Sequence, residues 1–210
     1  MNSSENEELA AIAAQALCAG VVSDFDTARN YAMRQQRGER RASGPDNLQI
    51  HAALVEQLSL FDFDVQHQRI TQLRVIALDC LARFEEFQPR LVGPVLYGTA
   101  LDVDPITLHV FSEEVEQISR FLIQQRYKYS LGEITMRFSG KPMQRDVPVF
   151  SLVVADTDVD LVVLASTHAA DRPLSSLSGS PMLRFTAAEV KNLLDIDQLF
   201  VAVERKKTRH

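Results

Sequence analysis

The chain has 210 residues, 46% of them hydrophobic and 24% charged, which is enough for one large domain or two small ones around a sizeable core. With 22 Lys and Arg against 28 Asp and Glu, the formal charge of −6 argues against a protein that coats duplex DNA or an anionic membrane with its whole surface. Cys18 and Cys80 are too few for a disulfide framework or a cysteine-based zinc site. The polar, acidic start Met1 to Glu8 and the lack of any apolar run of ~18–20 residues predict no signal peptide and no membrane span, and point to a cytoplasmic protein of bacterial type.

The first 90 residues read as consecutive helices. From Glu7 to Ala19, Leu9, Ile12, Ala13, Ala16 and Leu17 fall at helical spacing, and Gly20 is placed to cap the end. Asp24 or Asp26 opens a second helix to about Gln36, the stretch Gly38 to Pro45 breaks the pattern, and Asp46 or Asn47 opens a third with Ile50, Leu54, Leu58 and Phe61 on one face. A fourth carries the clearest apolar stripe, Ile70, Leu73, Ile76, Ala77, Cys80, Leu81, Phe84 and Phe87, until Pro89 stops it. Beyond Pro89 the period falls to about 2. Leu91 to Tyr97 is a strand interrupted by Gly93 and Pro94, and Ile106, Leu108 and Val110 alternate with Thr107, His109 and Phe111. Ser112 is placed as the N-cap of a helix to about Arg126; Lys128–Phe138, Val147–Ala155 and Asp158–Leu164 are rich in β-formers; and a last helix starts near Thr186. The order β, β, α, β, β, β, α behind a helical module predicts an α+β protein with a mixed sheet, divided into 1–89, 90–200 and a basic tail 201–210.

The stretch Leu91 to Ser112, LVGPVLYGTALDVDPITLHVFS, resembles the signature of the polymerase-β-like nucleotidyltransferases. In that family a strand ends in Gly-Ser, a second Gly follows, and an Asp-hydrophobic-Asp pair opens the next strand about ten residues on. Gly93 takes the first glycine, Pro94 the serine and Gly98 the second glycine, while the ten residues Val95 to Asp104 leave Pro105 and Thr107 at the two aspartate positions. Carboxylates at i and i+2 of a strand point the same way, and with a third from a neighbouring strand they hold two Mg²⁺ ions for phosphoryl chemistry. Here only the third has a counterpart, Asp160 in Val159-Asp160-Leu161. The resemblance implies a nucleotidyltransferase-like sheet flanked by helices, with a ligand cleft at Gly93, Pro94, Gly98, Thr99 and Thr107, two-metal catalysis lost, and no cofactor. Such a protein acts by binding a nucleotide, a phosphorylated ligand or a protein partner.

Two alternatives stay open. A rebuilt metal site from Asp102, Asp104 and Asp160 would hold Mg²⁺ and restore nucleotidyl transfer, although Asp104 shares the strand parity of the core residues Ile106, Leu108 and Val110. Arg29, Arg34, Arg37, Arg40 and Arg41, against Glu39 alone, could grip RNA phosphates. His109 has the parity of Pro105 and Thr107 and so faces the same cleft, where it and Asp160 are the catalytic candidates. His51, His67 and His168 have no zinc-type spacing, Gly140-Lys141-Pro142 is no phosphate loop, and the serines 175–180 form no nucleophile elbow.

Overall fold

A computed structural model describes residues 2–35, 44–61, 63–139, 143–166 and 172–196. The chain divides into two compact units, Met1–Gln66 with Ser175–Gly179, and His67–Leu174 with Ser180–His210.

The first unit is helical: α1 (Asn2–Cys18), α2 (Phe25–Gln35) and α3 (Asn47–Phe61). Each boundary has a local cause. Gly20, at φ +65°, ends α1 in a left-handed turn in which its N–H reaches Leu17 O at 3.0 Å and the Val21 N–H reaches Ala16 O at 3.0 Å. Asp24 Oδ1 accepts the Thr27 N–H at 2.8 Å to open α2, and this backbone bond holds the Asp24 carboxyl below its ordinary range. A reciprocal pair opens α3: Asp46 Oδ1 takes the Gln49 N–H at 2.8 Å, and Gln49 Oε1 takes the Asp46 N–H at 2.9 Å. Leu9, Ala13, Ala16, Leu17, Ala28, Ala32, Ile50 and Leu54 are buried.

Most of α4 (Phe63–Arg83) belongs to the second unit, where it leads through a 3₁₀ turn (Glu85–Phe87) into β1 (Arg90–Val92), α5 (Pro94–Tyr97), β2 (Ile106–Phe111), α6 (Val115–Gln124), β3 (Tyr129–Arg137), β4 (Gln144–Val154) and β5 (Thr157–Leu164). A last helix, α7, covers 187–196. The five strands form one mixed sheet in the order β1-β2-β5-β4-β3, with β2 and β5 parallel and the other neighbours antiparallel. One face packs against helices: Ile106, Leu108, Val110, Phe150, Leu152, Val159, Leu161 and Val163 share a core with Ala77, Cys80 and Leu81 of α4, Phe84 just beyond it, Ile118 and Leu122 of α6, and Val190 of α7. Burying a side chain of this size contributes roughly 1.5–3 kcal/mol. The other face carries a smaller cluster of Phe138, Val147, Val149, Val162 and Leu164, with Phe111 and Met136 against it.

The expected order of sheet elements is found, with three differences. The α4 stripe stops being α-helical at Arg83; Phe84 and Phe87 reach the core around the 3₁₀ turn, which Gln88 closes at φ 48°. Its residues from His67 onward belong to the sheet unit. Pro94 to Tyr97, expected as strand, is a helical turn, because Gly93 at φ +76° and ψ −159° reverses the chain and Pro94 supplies a preset φ at its first position. The Ser112 hydroxyl accepts the Glu114 N–H at 3.2 Å and so closes the turn before α6, while Glu114 takes the N-cap position without a side-chain capping bond. No helix among the described residues is long and apolar enough to cross a membrane. Both cysteines are free; burial pushes the Cys80 thiol up to about 12.

Candidate functional site

The parallel pairing of β2 with β5 sets Thr107 beside Asp160, and β1 sets Val92 beside Thr107. β4 adds Ser151 next to Asp160, and β3 adds Ser130 next to Ser151. Because side chains alternate between faces, Thr107, Asp160, Ser151 and Ser130 form one polar row across four strands, on the face away from the helices. The Ser151 hydroxyl donates to Asp160 Oδ1 at 2.6 Å. One step toward the sheet end, the same registers align Pro105, Asp158 and Val153, with Lys128, the residue before β3, next in line. Pro105, Lys128, Ser130, Ser151, Val153, Asp158 and Asp160, together with Val103, Tyr129 and Leu152, line an open cleft of about 510 Å³.

The Gly93 to Thr99 loop adjoins this end of the sheet. A Cβ placed on Gly93 would lie 3.9 Å from Thr107 Cβ and Oγ1, so the glycine faces the threonine across the β1–β2 pair. Gly98, at φ 80°, ends α5, and the buried Thr99 sends its N–H to Pro94 O at 3.0 Å. α4 holds the loop from outside. Arg74, buried, donates through Nε to Val95 O at 3.2 Å and through Nη2 to Leu96 O at 2.9 Å, a guanidinium capping the C-terminal carbonyls of a short helix. Arg69 Nη1 reaches Ala100 O at 3.1 Å and Asp102 Oδ1 at 3.0 Å. The sequence reading passed over Arg74, although the signal was present: it sits four residues after Ile70, inside the apolar stripe, where a cation needs buried acceptors.

The acidic alternative is not assembled. Asp102 is exposed and paired with Arg69. Asp104 Oδ2 accepts the Leu101 N–H at 2.7 Å and so closes its own turn, and burial raises its carboxyl above the ordinary range. Asp160, on β5, is bonded by Ser151 of β4, and among the described residues no three or more His, Cys, Asp or Glu side chains gather where they could hold one metal ion.

His109 is fully buried, two residues along β2 from Thr107 and on the same face. Arg184 Nε–H donates to its Nδ1 at 3.1 Å, which leaves the ring proton on Nε2, and the Arg184 guanidinium lies 5.3 Å from the Phe111 ring centre. Burial, reinforced by the Arg184 charge, lowers the His109 pKa to about 3, so the ring is neutral at any physiological pH. The segment carrying Arg184 is fixed to the outer edge of β1 by the Leu91–Phe185 bridge, with N–H···O bonds of 2.8 and 3.0 Å. His109 is thus covered where Asp160 is open, and the two catalytic candidates do not share the cleft.

Of the arginine cluster, Arg29 is engaged inside its own unit: its side chain bonds Pro45 O at 2.7 Å and Asn47 Oδ1, and it pairs with Asp26 at 3.0 Å. Arg34 is exposed in the last turn of α2. Arg37, Arg40 and Arg41 lie outside the described residues, as do His168, Gly140-Lys141-Pro142 and the tail 201–210. Comparison with known proteins gives no match of any kind: no family model, no curated protein and no solved structure matches this chain.

Proposed function

We propose that this chain is a binding protein on a nucleotidyltransferase-like sheet whose two-metal chemistry is gone, acting by taking a nucleotide, a phosphorylated ligand or a protein partner at the β2–β5 end of the sheet. The observation that carries the reading is the register of Thr107 with Asp160 on parallel neighbouring strands, faced by Gly93. Three features independent in sequence meet there: a glycine in a conformation that side chains avoid, Pro105 and Thr107 at the start of β2, and a later strand carrying Asp158 and Asp160. Thr107 donates or accepts a hydrogen bond but brings no charge, and Pro105 offers no ligand atom. Asp158 and Asp160, the latter held by the Ser151 hydroxyl, stand on β5 with no carboxylate on β2 to meet them, so two reluctantly dehydrating Mg²⁺ ions lack their ligands from the neighbouring strand. Binding without transfer is the activity left to such a site.

A screen with the four labelled ribonucleoside triphosphates, Mg²⁺ or Mn²⁺, and protein, RNA or small acceptors tests this. No metal-dependent label transfer is expected. Transfer by the wild type that disappears in Asp160→Ala would overturn the reading.

A further inference from the structure

The cleft has a charge pattern that restricts its occupant. Two carboxylates and one ammonium line it, a formal charge of −1 from Asp158, Asp160 and Lys128. The Asp160 side chain is engaged by Ser151, whereas neither the Lys128 nor the Asp158 side chain has a hydrogen-bond or ion-pair partner among the described residues. The sheet explains why they do not pair with each other. Tyr129 is opposite Leu152, which puts Lys128 opposite Val153, and Val153 is opposite Asp158. A whole strand, β4, therefore separates them, roughly 9.5 Å at two strand spacings. Between the two charges the floor offers the Val153 side chain and, one row inward, the Ser130 and Ser151 hydroxyls.

A polyphosphate fits such a trough poorly, since two carboxylates would repel it and a single lysine would answer it. A dication leaves Lys128 opposed, and a dianion leaves Asp158 opposed. Building on the reading that the sheet end binds without catalysing transfer, we propose that its ligand is a small zwitterion. Its anionic group, carboxylate or phosphate monoester, lies against Lys128, and its ammonium lies against Asp158 and Asp160. The two poles stand on either side of β4, a gap that a short amino acid or a phosphorylated amino alcohol can span. The apolar Val153 between the poles suits an aliphatic spacer.

Backbone amide NMR on the full chain tests this with γ-aminobutyrate and O-phosphoethanolamine as zwitterions, and butylamine, butyrate, inorganic phosphate and AMP as single-sign controls. At millimolar concentration one or both zwitterions should shift the amides of Ser130, Ser151, Asp158 and Asp160 saturably, and the stronger of the two identifies the anionic group. Each control should bind at least about fivefold more weakly, and Lys128→Met or Asp158→Asn should each weaken the zwitterion by about fivefold, the scale of one exposed charge contact. Both variants lie on the surface, and an unperturbed spectrum elsewhere verifies their fold. No saturable shift with either zwitterion, equal binding of AMP, or variants that bind like the wild type would each overturn the zwitterion assignment. AMP binding would do so while leaving the binding reading intact, which only metal-dependent transfer removes.

Discussion

Two residues near the sheet end carry costs that can be measured. His109 stays neutral in the fold down to about pH 3, while in the unfolded chain it takes a proton near pH 6.5. Above 6.5 both states are neutral and the group has no effect on stability; as pH falls below 6.5 the unfolded state alone gains a proton, until the folded state follows near 3. The wild type should therefore lose about 2 kcal/mol of stability between pH 7.5 and 5 through this one ring. Burial depresses His51 in the same direction, so the contribution of His109 is the difference between wild type and His109→Gln in urea titrations at the two pH values. A variant with the same pH slope as the wild type would place the titrating group elsewhere. Gly93 stores a different cost. Its φ of 76° with ψ −159° is open almost only to glycine, yet an added Cβ would meet nothing closer than 3.9 Å. Gly93→Ala should then lose about 1–3 kcal/mol through backbone strain alone. Gly132→Ala, where an added Cβ has nothing within 4 Å and φ is not positive, should cost nothing measurable by the same denaturation assay.

At the scale of elements, period and caps made most of the fold legible. β2 matches its expected bounds, and the capping pairs at Asp46 and Thr186 mark helix starts before any packing is considered. What stayed hidden was decided by tertiary context. The β4–β5 hairpin turns through Ala155 and Asp156, both at positive φ, a conformation that neither residue advertises as glycine would. α4 shows the limit most clearly. Its sequence stripe centres on Ile76, but the buried line runs through Ile70, Arg74, Ala77, Leu81 and Phe84, and Ile76 only borders the core. Leu81→Ala should accordingly cost about 2–5 kcal/mol by chemical denaturation, and Ile76→Ala clearly less. Equal losses would mean that the stripe packs on the face the sequence suggests. Arg74→Met keeps much of the aliphatic bulk but strips Val95 O and Leu96 O of their donor, so about 1–3 kcal/mol should be lost together with order in the 93–99 loop.

At the scale of the whole molecule, the site is a product of strand order. β5 returns from the β4 hairpin and inserts beside β2, bringing Thr107 and Asp160 together although they are far apart in sequence. The family resemblance already sets Asp160 on a strand beside Thr107, and the register agrees; only the sheet order adds Ser151 as a neighbour and leaves Asp102 with Arg69. The same order makes a gain-of-function test possible. In Thr107→Asp a second carboxylate would stand across the parallel pair from Asp160, about 5 Å away at the backbone. Two carboxylates that close repel, raise the pKa of one of them and cost roughly 1 kcal/mol of stability, and a divalent cation relieves all three effects at once. The variant should therefore bind Mn²⁺ at least about tenfold more tightly than the wild type in calorimetric titration, and recover its lost stability when the ion is added. Asp160→Ala in the same background should return the affinity to that of the wild type. A folded Thr107→Asp protein with unchanged Mn²⁺ affinity would show that the two side chains do not share a face, and the nucleotidyltransferase-like reading of the sheet would fall with it.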